Sequence, residues 1–394
     1  MMPWANKIGS AIEQRWRERN YDLTVWPELA VDALAGSADL PHPDEIVRWV
    51  FSGVALPEQD PHANFGQPPI MLFRSRRFYL EALFWTEGTT AVHQHAFSGA
   101  FKVLAGSSIE TRFDFDEERV VDGYLKFGRM KVLSTSFLRA GHVRPIYSGS
   151  RLIHSLFHLE RPSVTRVLRT FRDSHAWPQF DYAKPGIAHD PFFPDVARDK
   201  TIQLVSMLQT VGHSELESFV GELLARADLH TAYRVLRELA HHPNRDLVDR
   251  LVMRVGDEDF RGRFAEVMRE SRREHYIRSR RPLVRDPVLR FFLGVLMNAH
   301  RWSDVHNLLQ SRDSSVEPAA QVALWLRQLS TITARLQAGG VSWEPSLLGL
   351  PEFSDESEKD LASVLRGRSE GATAANLDFL RRLKDLPALE CLFR

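Results

Sequence analysis

The feature that most constrains the fold is a pair of histidines, His93 and His95, inside a β-prone run that extends from Gly88 to Gly106. Side chains along a β-strand point alternately to its two faces, so residues i and i+2 lie on the same face. The two imidazoles are therefore predicted to converge on one side of a sheet. That placement brings them close enough to bind one metal ion.

The sequence around this pair predicts an all-β region from about residue 70 to residue 172. Short β-prone runs recur at roughly ten-residue spacing, with turns such as Asp122-Gly123 and Ser148-Gly149 between them. Many short strands at this spacing indicate a barrel or a sandwich. The clearest runs are Arg77–Trp85, Ala100–Leu104, Ser108–Phe115, Tyr124–Phe127, Lys131–Leu138, Leu152–Leu159 and Thr165–Phe171.

Both flanks of the β-region are predicted to be helical. Residues 1–55 show helical spacing of apolar side chains and a helix start at Pro43, and a proline-rich stretch then separates them from the β-region. Helical patterns resume near residue 198 and continue to the end of the sequence. We therefore predict an α+β protein with a helical segment over 1–55, a β-barrel over 56–175 and an all-helical domain over 176–394.

Composition excludes several classes of function. Lys plus Arg and Asp plus Glu both total 51, so no charge bias favours nucleic acid or an anionic membrane as a partner. The single cysteine, Cys391, rules out a disulfide within the chain and a thiolate zinc cluster, and it fits a reducing, cytoplasmic setting. We expect no signal peptide and no membrane span, because no apolar run reaches about 18 residues.

A second group of histidines lies downstream, on the predicted strand Leu152–Leu159. His154 is the candidate for a third metal ligand, which would complete a transition-metal site with open positions for substrate. His158 is an alternative because a residue four positions on shares the strand face, and His142, in a turn, is a further one. A different interpretation is that His93 and His95 line a barrel without any metal and are satisfied by hydrogen bonds.

Residues 88–158 resemble the cupin superfamily of β-barrel proteins. The first cupin motif, usually Gly-x5-His-x-His-x(3–4)-Glu-x6-Gly, is matched here by Gly88, His93, His95 and Gly106, with four residues instead of five before the first histidine. His154 fits the place of the histidine in the second motif, after a turn that contains Pro145 and Gly149. The resemblance implies a jelly-roll barrel that holds a metal ion through His93, His95 and His154.

The sequence departs from the cupin motif at the usual glutamate ligand, where Gly99 or Ala100 stands. Three neutral imidazoles would leave a divalent ion its full charge, which favours an anionic substrate at the open positions. This set resembles the three-histidine Fe(II) site of thiol dioxygenases and diketone-cleaving cupins. The strand Ser163–Thr170 lacks the Ser-x-His-x-Tyr relay of the thiol dioxygenases, which argues against cysteine as the substrate.

The resemblance implies a metal-dependent oxidoreductase, a mononuclear non-haem Fe(II) oxygenase or dioxygenase that acts on a small polar or anionic metabolite with O2. Zinc, manganese, nickel or copper are alternatives to iron, because imidazole accepts most of these metals. Tyr147 and Arg151 are predicted catalytic helpers that hold an anion or donate a proton, and Tyr124 is a further candidate. Glu81, on a preceding strand, is a candidate to face the same cavity.

Two other functions remain open at this level. The barrel could be an isomerase, a lyase or a hydrolase that uses Zn, Mn or Ni as a Lewis acid. It could also be a ligand-sensing or structural module without activity, with the helical domain as a surface for protein partners. Under the enzyme hypotheses, the helical domain is expected to cap the barrel mouth or to form a homodimer interface.

Overall fold

The N-terminal part of the chain is helical and leads into the β-region. The computed structural model describes residues 3–36, 42–61, 65–86, 88, 90–173, 175–240, 242–332, 336–338, 341–343, 346–367 and 374–394. Its first helices are α1 (Pro3–Arg17), α2 (Trp26–Ala35) and α3 (Pro43–Phe51), with a short 3-10 turn at Leu23–Val25 before α2. Prolines stand at the first turns of α2 and α3, where a missing N–H costs no hydrogen bond.

The strands of the β-region build a five-stranded sheet and a closed six-stranded barrel, and the paired strands run antiparallel. The sheet has the order β1-β2-β9-β4-β7, and the barrel has the order β10-β11-β6-β5-β8-β3. The strands are β1 (Pro69–Arg74), β2 (Phe78–Trp85), β3 (Val92–His95), β4 (Gly99–Ala105), β5 (Ser107–Asp122), β6 (Leu125–Arg139), β7 (Val143–Ile146), β8 (Gly149–His158), β9 (Ser163–Thr170), β10 (Asp181–Ala183) and β11 (Ile187–His189).

Helices dominate the described residues after the barrel. They are α4 (Val196–Thr210), α5 (Leu216–Leu224), α6 (Leu229–Glu238), α7 (Arg245–Val252), α8 (Glu258–Arg280), α9 (Pro287–Asn298), α10 (Trp302–Arg312), α11 (Pro318–Ser330), α12 (Asp355–Leu365) and α13 (Ala374–Lys384). Short 3-10 turns cover Arg281–Leu283 and Pro387–Leu392, and a small hairpin pairs β12 (Leu336–Ala338) with β13 (Val341–Trp343). Asp, Asn and Ser side chains cap several of these helices, as expected for helix N-termini.

The N-terminal helices cover the outer face of the five-stranded sheet. On β2, Phe78 and Leu80 point outward into a core that they share with Trp16 of α1 and Trp26 of α2. The rings of Trp26 and Phe78 are 4.9 Å apart between centroids. The other face of β2, which includes Glu81, therefore points into the barrel region.

The C-terminal helices pack against the opposite side of the β-region. Phe157 of β8 lies in one core with Phe292 and Leu293 of α9, and burial of such apolar side chains is the main force that holds the two parts together. Helix α9 approaches the barrel at Gly294, where an added Cβ would lie 2.8 Å from the ring of Phe157. A larger residue at Gly294 would have to push the helix away from β8.

The structure confirms the predicted fold class, a cupin-like barrel with helices before and after it. The structure differs from the sequence-based prediction in two details. Strands β10 and β11 lie beyond residue 175, where the sequence analysis ended the barrel, because three-residue strands show no measurable periodicity. The β12–β13 hairpin interrupts a stretch that the sequence analysis described as helical throughout.

A helix that spans a membrane must be long and mostly apolar. None of the helices in the described residues is both long enough and apolar enough to cross a bilayer.

Candidate metal centre

His93 and His95 converge with His154 inside the β-region, as the strand alternation predicts. His93 lies on β3 directly opposite His154 of β8 in the antiparallel pairing. The pairing shifts between His93 and His95, so that His95 lies opposite Gly149 at the start of β8. All three side chains are buried, and no other group of His, Cys, Asp or Glu in the described residues brings three donor atoms together in this way.

The three imidazole rings face one another at short range. The Nε2 atoms of His93 and His95 are 3.1 Å apart. The ring centroid of His154 lies 5.1 Å from that of His93 and 5.0 Å from that of His95. One nitrogen from each ring can be chosen so that all three lie within 4.8 Å of one another.

Hydrogen bonds fix two of these rings through the nitrogen that faces away from the cluster. Nδ1 of His93 donates to the carbonyl oxygen of Ala91 at 2.8 Å, and Nδ1 of His154 donates to Oε1 of Glu110 at 3.0 Å. Each of these bonds places the proton on Nδ1 and leaves Nε2 as a lone-pair donor. A histidine that bonds a carbonyl or a carboxylate through its second nitrogen is the usual arrangement of a metal ligand.

His93 and His95 are uncharged around neutral pH. Burial, with a smaller contribution from the nearby His154, lowers the pKa of His93 to about 3, and the carbonyl of Ala91 opposes this shift only in part. Burial and then His93 and His154 hold the pKa of His95 well below its ordinary value. Neutral imidazole is the form that binds metals, so both side chains are ready for an ion without the loss of a proton.

Glu110 supports His154 from behind and is itself buried and ionised. Burial raises the pKa of Glu110, but the hydrogen bond from His154 and the charges of Arg112 and Arg144 bring it below its ordinary value. The two guanidinium groups lie 3.5 Å from its carboxylate oxygens. The carboxylate therefore holds His154 in one tautomer and one orientation.

A small cavity lies beside the three histidines. Its volume is about 40 Å³, which is room for the centres of only a few water molecules. Its walls are mostly apolar, and its charged members are Glu81 and Arg169. The lining residues are Phe65, Glu81, Leu83, Trp85, His93, His95, Phe97, Phe101, Ile146, His154, Leu156, Thr165, Val167 and Arg169.

Glu81 and Arg169 form an ion pair inside this cavity. The Nε atom of Arg169 lies 3.4 Å from Oε1 of Glu81, and the guanidinium group stacks over the ring of Phe97 at 3.8 Å. Burial raises the pKa of Glu81, and the charge of Arg169 offsets part of that shift. The pair adds one cation and one proton-accepting group to the wall of the cavity.

The surroundings of Gly99 and Ala100 explain why neither position carries the usual glutamate ligand. A Cβ added to Gly99 would lie 2.1 Å from the carbonyl oxygen of Leu168 in the neighbouring strand β9. Ala100 points to the other side of the sheet, into the core beneath the N-terminal helices. Neither position can present a carboxylate to the three histidines, so the cluster consists of imidazoles.

The alternative histidines lie elsewhere. His158 shares the inner face of β8, but its ring stacks on Trp85 at 4.4 Å and its Nδ1 bonds the hydroxyl of Ser108 at 2.9 Å. His142 is exposed, in the turn between β6 and β7. The geometry therefore groups His154, and neither alternative, with His93 and His95.

Tyr147 and Arg151, the predicted catalytic helpers, do not line the cavity. The hydroxyl of Tyr147 donates to Oε1 of Glu28 in α2 at 3.0 Å, and the guanidinium of Arg151 stacks on the ring of Tyr147 at 4.5 Å. Strand alternation explains this, because Ile146 faces the cavity and the next residue points away from it. Tyr124 packs on Phe193 with 4.0 Å between ring centroids, also outside the cavity lining.

Arg169 and Glu110 were not predicted from the sequence, although Arg169 lines the cavity beside the histidines and Glu110 bonds His154. Both are charged residues at inward positions of predicted strands, Arg169 on β9 and Glu110 on β5. A charge on the apolar face of a strand is a signal for a buried ion pair or a site. That signal could have been read only if the inward face of each strand had been known.

The donor set fits a transition-metal ion. Two nitrogens bound to one ion at about 2.1 Å and at a right angle are about 3.0 Å apart, close to the observed Nε2 separation. The Nδ1 atom of His95 is buried without a hydrogen-bond partner in the described residues. The cavity beside the three rings leaves space for further ligands of the ion. His93, His95 and His154 can therefore hold one ion through imidazole nitrogens.

A closed antiparallel barrel with inward histidines from β3 and β8 is the arrangement that the cupin resemblance implied. The β-region is a cupin-like barrel. Comparison with known sequences adds nothing to this assignment, because no protein-family model and no curated protein matches the chain.

Solved structures resemble part of the chain at low identity. An oxalate decarboxylase from Lactobacillus farciminis, in complex with formate, is 15% identical with a TM-score of 0.22, and the match covers 34% of this chain and 35% of that protein. Hydroquinone 1,2-dioxygenase from Sphingomonas sp. TTNP3 is 15% identical with a TM-score of 0.21, and the match covers 30% and 81%.

A third structure is a protein with a double-stranded β-helix domain from Klebsiella pneumoniae, 10% identical with a TM-score of 0.20 and with 39% and 93% covered. This chain thus spans only about a third of the length of the oxalate decarboxylase that it resembles. Similarities of this size do not inform its activity, so the assignment of function rests on the geometry of the site.

Proposed function

We propose that the chain is a mononuclear non-haem Fe(II)-dependent dioxygenase that acts on a small anionic metabolite. The observation that carries the proposal is the buried cluster of three imidazoles, without a carboxylate ligand, at the wall of a small cavity. His93, His95 and His154 would hold the ion, and Glu110 would orient His154. Bound Fe(II) would supply positions where substrate and O2 meet and would exchange electrons with O2.

Charge and size both favour a small anionic substrate. Imidazoles do not neutralise a divalent ion, so the site would attract a negatively charged group. Arg169 adds a second cation in the same cavity, and its stacking on Phe97 holds the guanidinium group in place. The cavity of about 40 Å³ excludes bulky substrates unless the side chains at its walls move.

Glu81 is the candidate proton carrier of this site. It is buried in the cavity wall with a raised pKa, and Arg169 is its ion-pair partner. A carboxyl group whose environment disfavours its charge takes up a proton more readily than an exposed one. We assign to Glu81 the transfer of a proton to or from the substrate, and to Arg169 the binding of the substrate anion.

Metal content and oxygen consumption test the proposal. Protein purified without chelators or a histidine tag should contain about one iron per chain, and the His93→Ala/His95→Ala variant should contain none. A screen of small carboxylates by oxygen uptake should then find a substrate. His158→Phe is the matched control, because it removes a buried histidine outside the cluster and should retain the metal.

Two results would contradict the proposal. The first is iron that remains stoichiometric in the double variant, which would exclude these histidines as ligands. The second is a chain without any bound metal under these conditions, which would favour the non-enzymatic interpretation, a barrel that binds a ligand without chemistry.

A Lewis-acid isomerase or lyase is the second candidate, and Glu81 is the observation that favours it. Such enzymes combine a metal with a nearby group that moves a proton, and Glu81 lines the same cavity as the histidines. Zinc, manganese or nickel at one ion per chain, with turnover that consumes no oxygen, would support this function over the dioxygenase.

The predicted catalytic roles of Tyr147 and Arg151 stay predictions. Their contacts favour a structural role, since Tyr147 joins the β7–β8 turn to α2 through Glu28. A Tyr147→Phe variant should therefore lose stability and keep its turnover number. Loss of turnover in a folded variant would restore the catalytic role.

A further inference from the structure

A second cleft lies where the barrel meets the C-terminal helices, and arginines dominate it. Its volume is about 340 Å³, within the range of small-molecule sites. The turn between β8 and β9 forms one wall, and α9, α10 and the segment before α9 form the other. The charged lining consists of Glu160, Arg161, Arg285, Arg290 and Arg312, and we call this the arginine cleft.

Three of the cleft arginines, Arg285, Arg290 and Arg312, are not held by carboxylates in the described residues. Within the described ranges, Arg285, Arg290 and Arg312 form no ion pair with any Asp or Glu. The lining carboxylate, Glu160, accepts hydrogen bonds from the backbone N–H and the hydroxyl of Ser107. Nearby Asp286 caps helix α9 by accepting from two backbone N–H groups. Glu160 and Asp286 keep their negative charge and offset part of the charge of Arg312, but four arginines against one carboxylate leave the lining with a net positive charge.

Contacts with the protein hold Arg290 and Arg312 in place before any ligand binds. Nη1 of Arg290 donates to the carbonyl oxygen of Arg281 at 3.1 Å, while its Nη2 is buried without a partner in the described residues. The guanidinium of Arg312 stacks on Phe291 at 4.2 Å. These contacts already restrict the two guanidinium groups. A ligand therefore costs less side-chain conformational entropy when it binds.

Arg281 lies behind the cleft and adds to the unrelieved positive charge. Its Nη2 donates to the carbonyl oxygens of His158 at 3.0 Å and Leu159 at 2.5 Å, and its Nε has no hydrogen-bond partner among described residues. Burial and then the charges of Arg290 and Arg161 lower its pKa to about 10. Burial and then Arg161 lower the pKa of Arg290 as well.

The lowered pKa values of Arg281 and Arg290 favour the binding of an anion. Each lowered pKa reports a guanidinium whose charge is disfavoured by its surroundings, and an anion in the cleft would favour that charge again. Three guanidinium groups on different segments can reach several oxygens of one tetrahedral group, whereas a planar carboxylate offers two oxygens. The chemistry therefore favours a phosphate over a carboxylate.

We propose that the arginine cleft binds a phosphorylated small molecule, whose phosphate oxygens accept hydrogen bonds from Arg285, Arg290 and Arg312. The site is separate from the histidine cavity and requires no catalysis. Because its walls come from both the barrel and the helices, an occupant would also join these two parts of the chain and stabilise the fold.

Calorimetric titration of the full chain with inorganic pyrophosphate tests the proposal, at neutral pH and an ionic strength of about 50 mM to limit screening. Pyrophosphate should bind once per chain and raise the midpoint of thermal unfolding. Arg285→Gln should weaken binding about tenfold or more, because charge-assisted hydrogen bonds are lost. Arg285 is exposed, so this variant should fold, and Arg290→Gln should have a similar effect on binding.

Arg226→Gln is the matched control, since Arg226 is exposed and lines no part of the cleft. It should change the affinity less than twofold. Absence of pyrophosphate binding, or an equal loss of affinity in the Arg226 and Arg285 variants, would overturn the proposal. Citrate that binds as tightly as pyrophosphate would overturn the assignment to phosphate.

Discussion

The histidine cavity and the arginine cleft both border strand β8, yet they have opposite electrostatic character. In the cavity, burial lowers the pKa of His93 and His95 and keeps both uncharged, and Glu81 and Arg169 pair with each other. In the cleft, arginines stand together while the nearby carboxylates are used for other bonds. The cavity measures about 40 Å³ and the cleft about 340 Å³.

This difference shows that buried donors or acceptors without a partner predict the charge of the ligand that a site binds. In the cavity, the nitrogens of three rings face one another within reach of a single cation, and Nδ1 of His95 is buried without a hydrogen-bond partner in the described residues. The cleft leaves N–H groups without an acceptor, which is the requirement of an anion. Buried polar groups are nearly always satisfied, so an unsatisfied set in one place indicates the partner that completes it.

The largest expected effect separates the two sites completely. His93→Ala/His95→Ala should abolish metal binding and leave the affinity for pyrophosphate within twofold, because the arginine cleft shares no residue with the cavity. Arg285→Gln should weaken pyrophosphate binding about tenfold or more and leave the metal content unchanged. Metal analysis and calorimetry on the same protein samples measure both quantities, and a variant that loses both ligands while folded would show that the sites are one coupled system.

A smaller effect is expected from the support of His154. Glu110→Gln keeps the shape of the side chain but removes the charge that orients the imidazole, so metal affinity should fall about 10- to 100-fold. Competition with a chelator of known affinity measures this change. Glu81→Gln is the control, because Glu81 pairs with Arg169 and bonds none of the three histidines in the described structure. Equal losses in both variants would argue against a specific role of Glu110.

The last effect, which is spread over several pH units, distinguishes the buried imidazole of His158 from the arginines. Burial lowers the pKa of His158 to about 3, so this ring stays neutral in the fold while it binds a proton in the unfolded chain below its ordinary value near 6.5. The unfolded state then holds more protons, and the free energy of unfolding falls as the pH drops through that window. The contribution is about 1.4 kcal/mol per pH unit.

His158→Phe should retain the stacking on Trp85 and remove this pH dependence, so the variant should lose stability less steeply between about pH 6.5 and pH 4. Denaturant unfolding at several pH values measures the slope. Arg285→Gln should keep the slope of the unaltered chain, because guanidinium groups stay charged throughout this range. An unchanged slope in the histidine variant would mean that His158 is protonated in the fold.

The sequence was sufficient to predict the barrel and the convergence of two histidines inside it. Alternation places residues two apart on one face, which is a local rule, so the convergence of His93 and His95 followed from their spacing alone. The strand that carries His154 was also predictable, because it is a short β-prone run that follows the turn Ser148-Gly149. The choice of His154 over His158 was not, since both residues lie on the same face of β8.

Only the tertiary structure decided which charged residues meet these histidines. Glu81, Glu110 and Arg169 belong to different strands, and their encounter depends on the order of strands in the sheet and on the register of each pair. The arginine cleft depends on the packing of α9 and α10 against the β8–β9 turn, more than 100 residues away along the chain. Spacing along the sequence determines local faces, whereas contacts between distant segments arise only when those segments pack together to bury apolar surface.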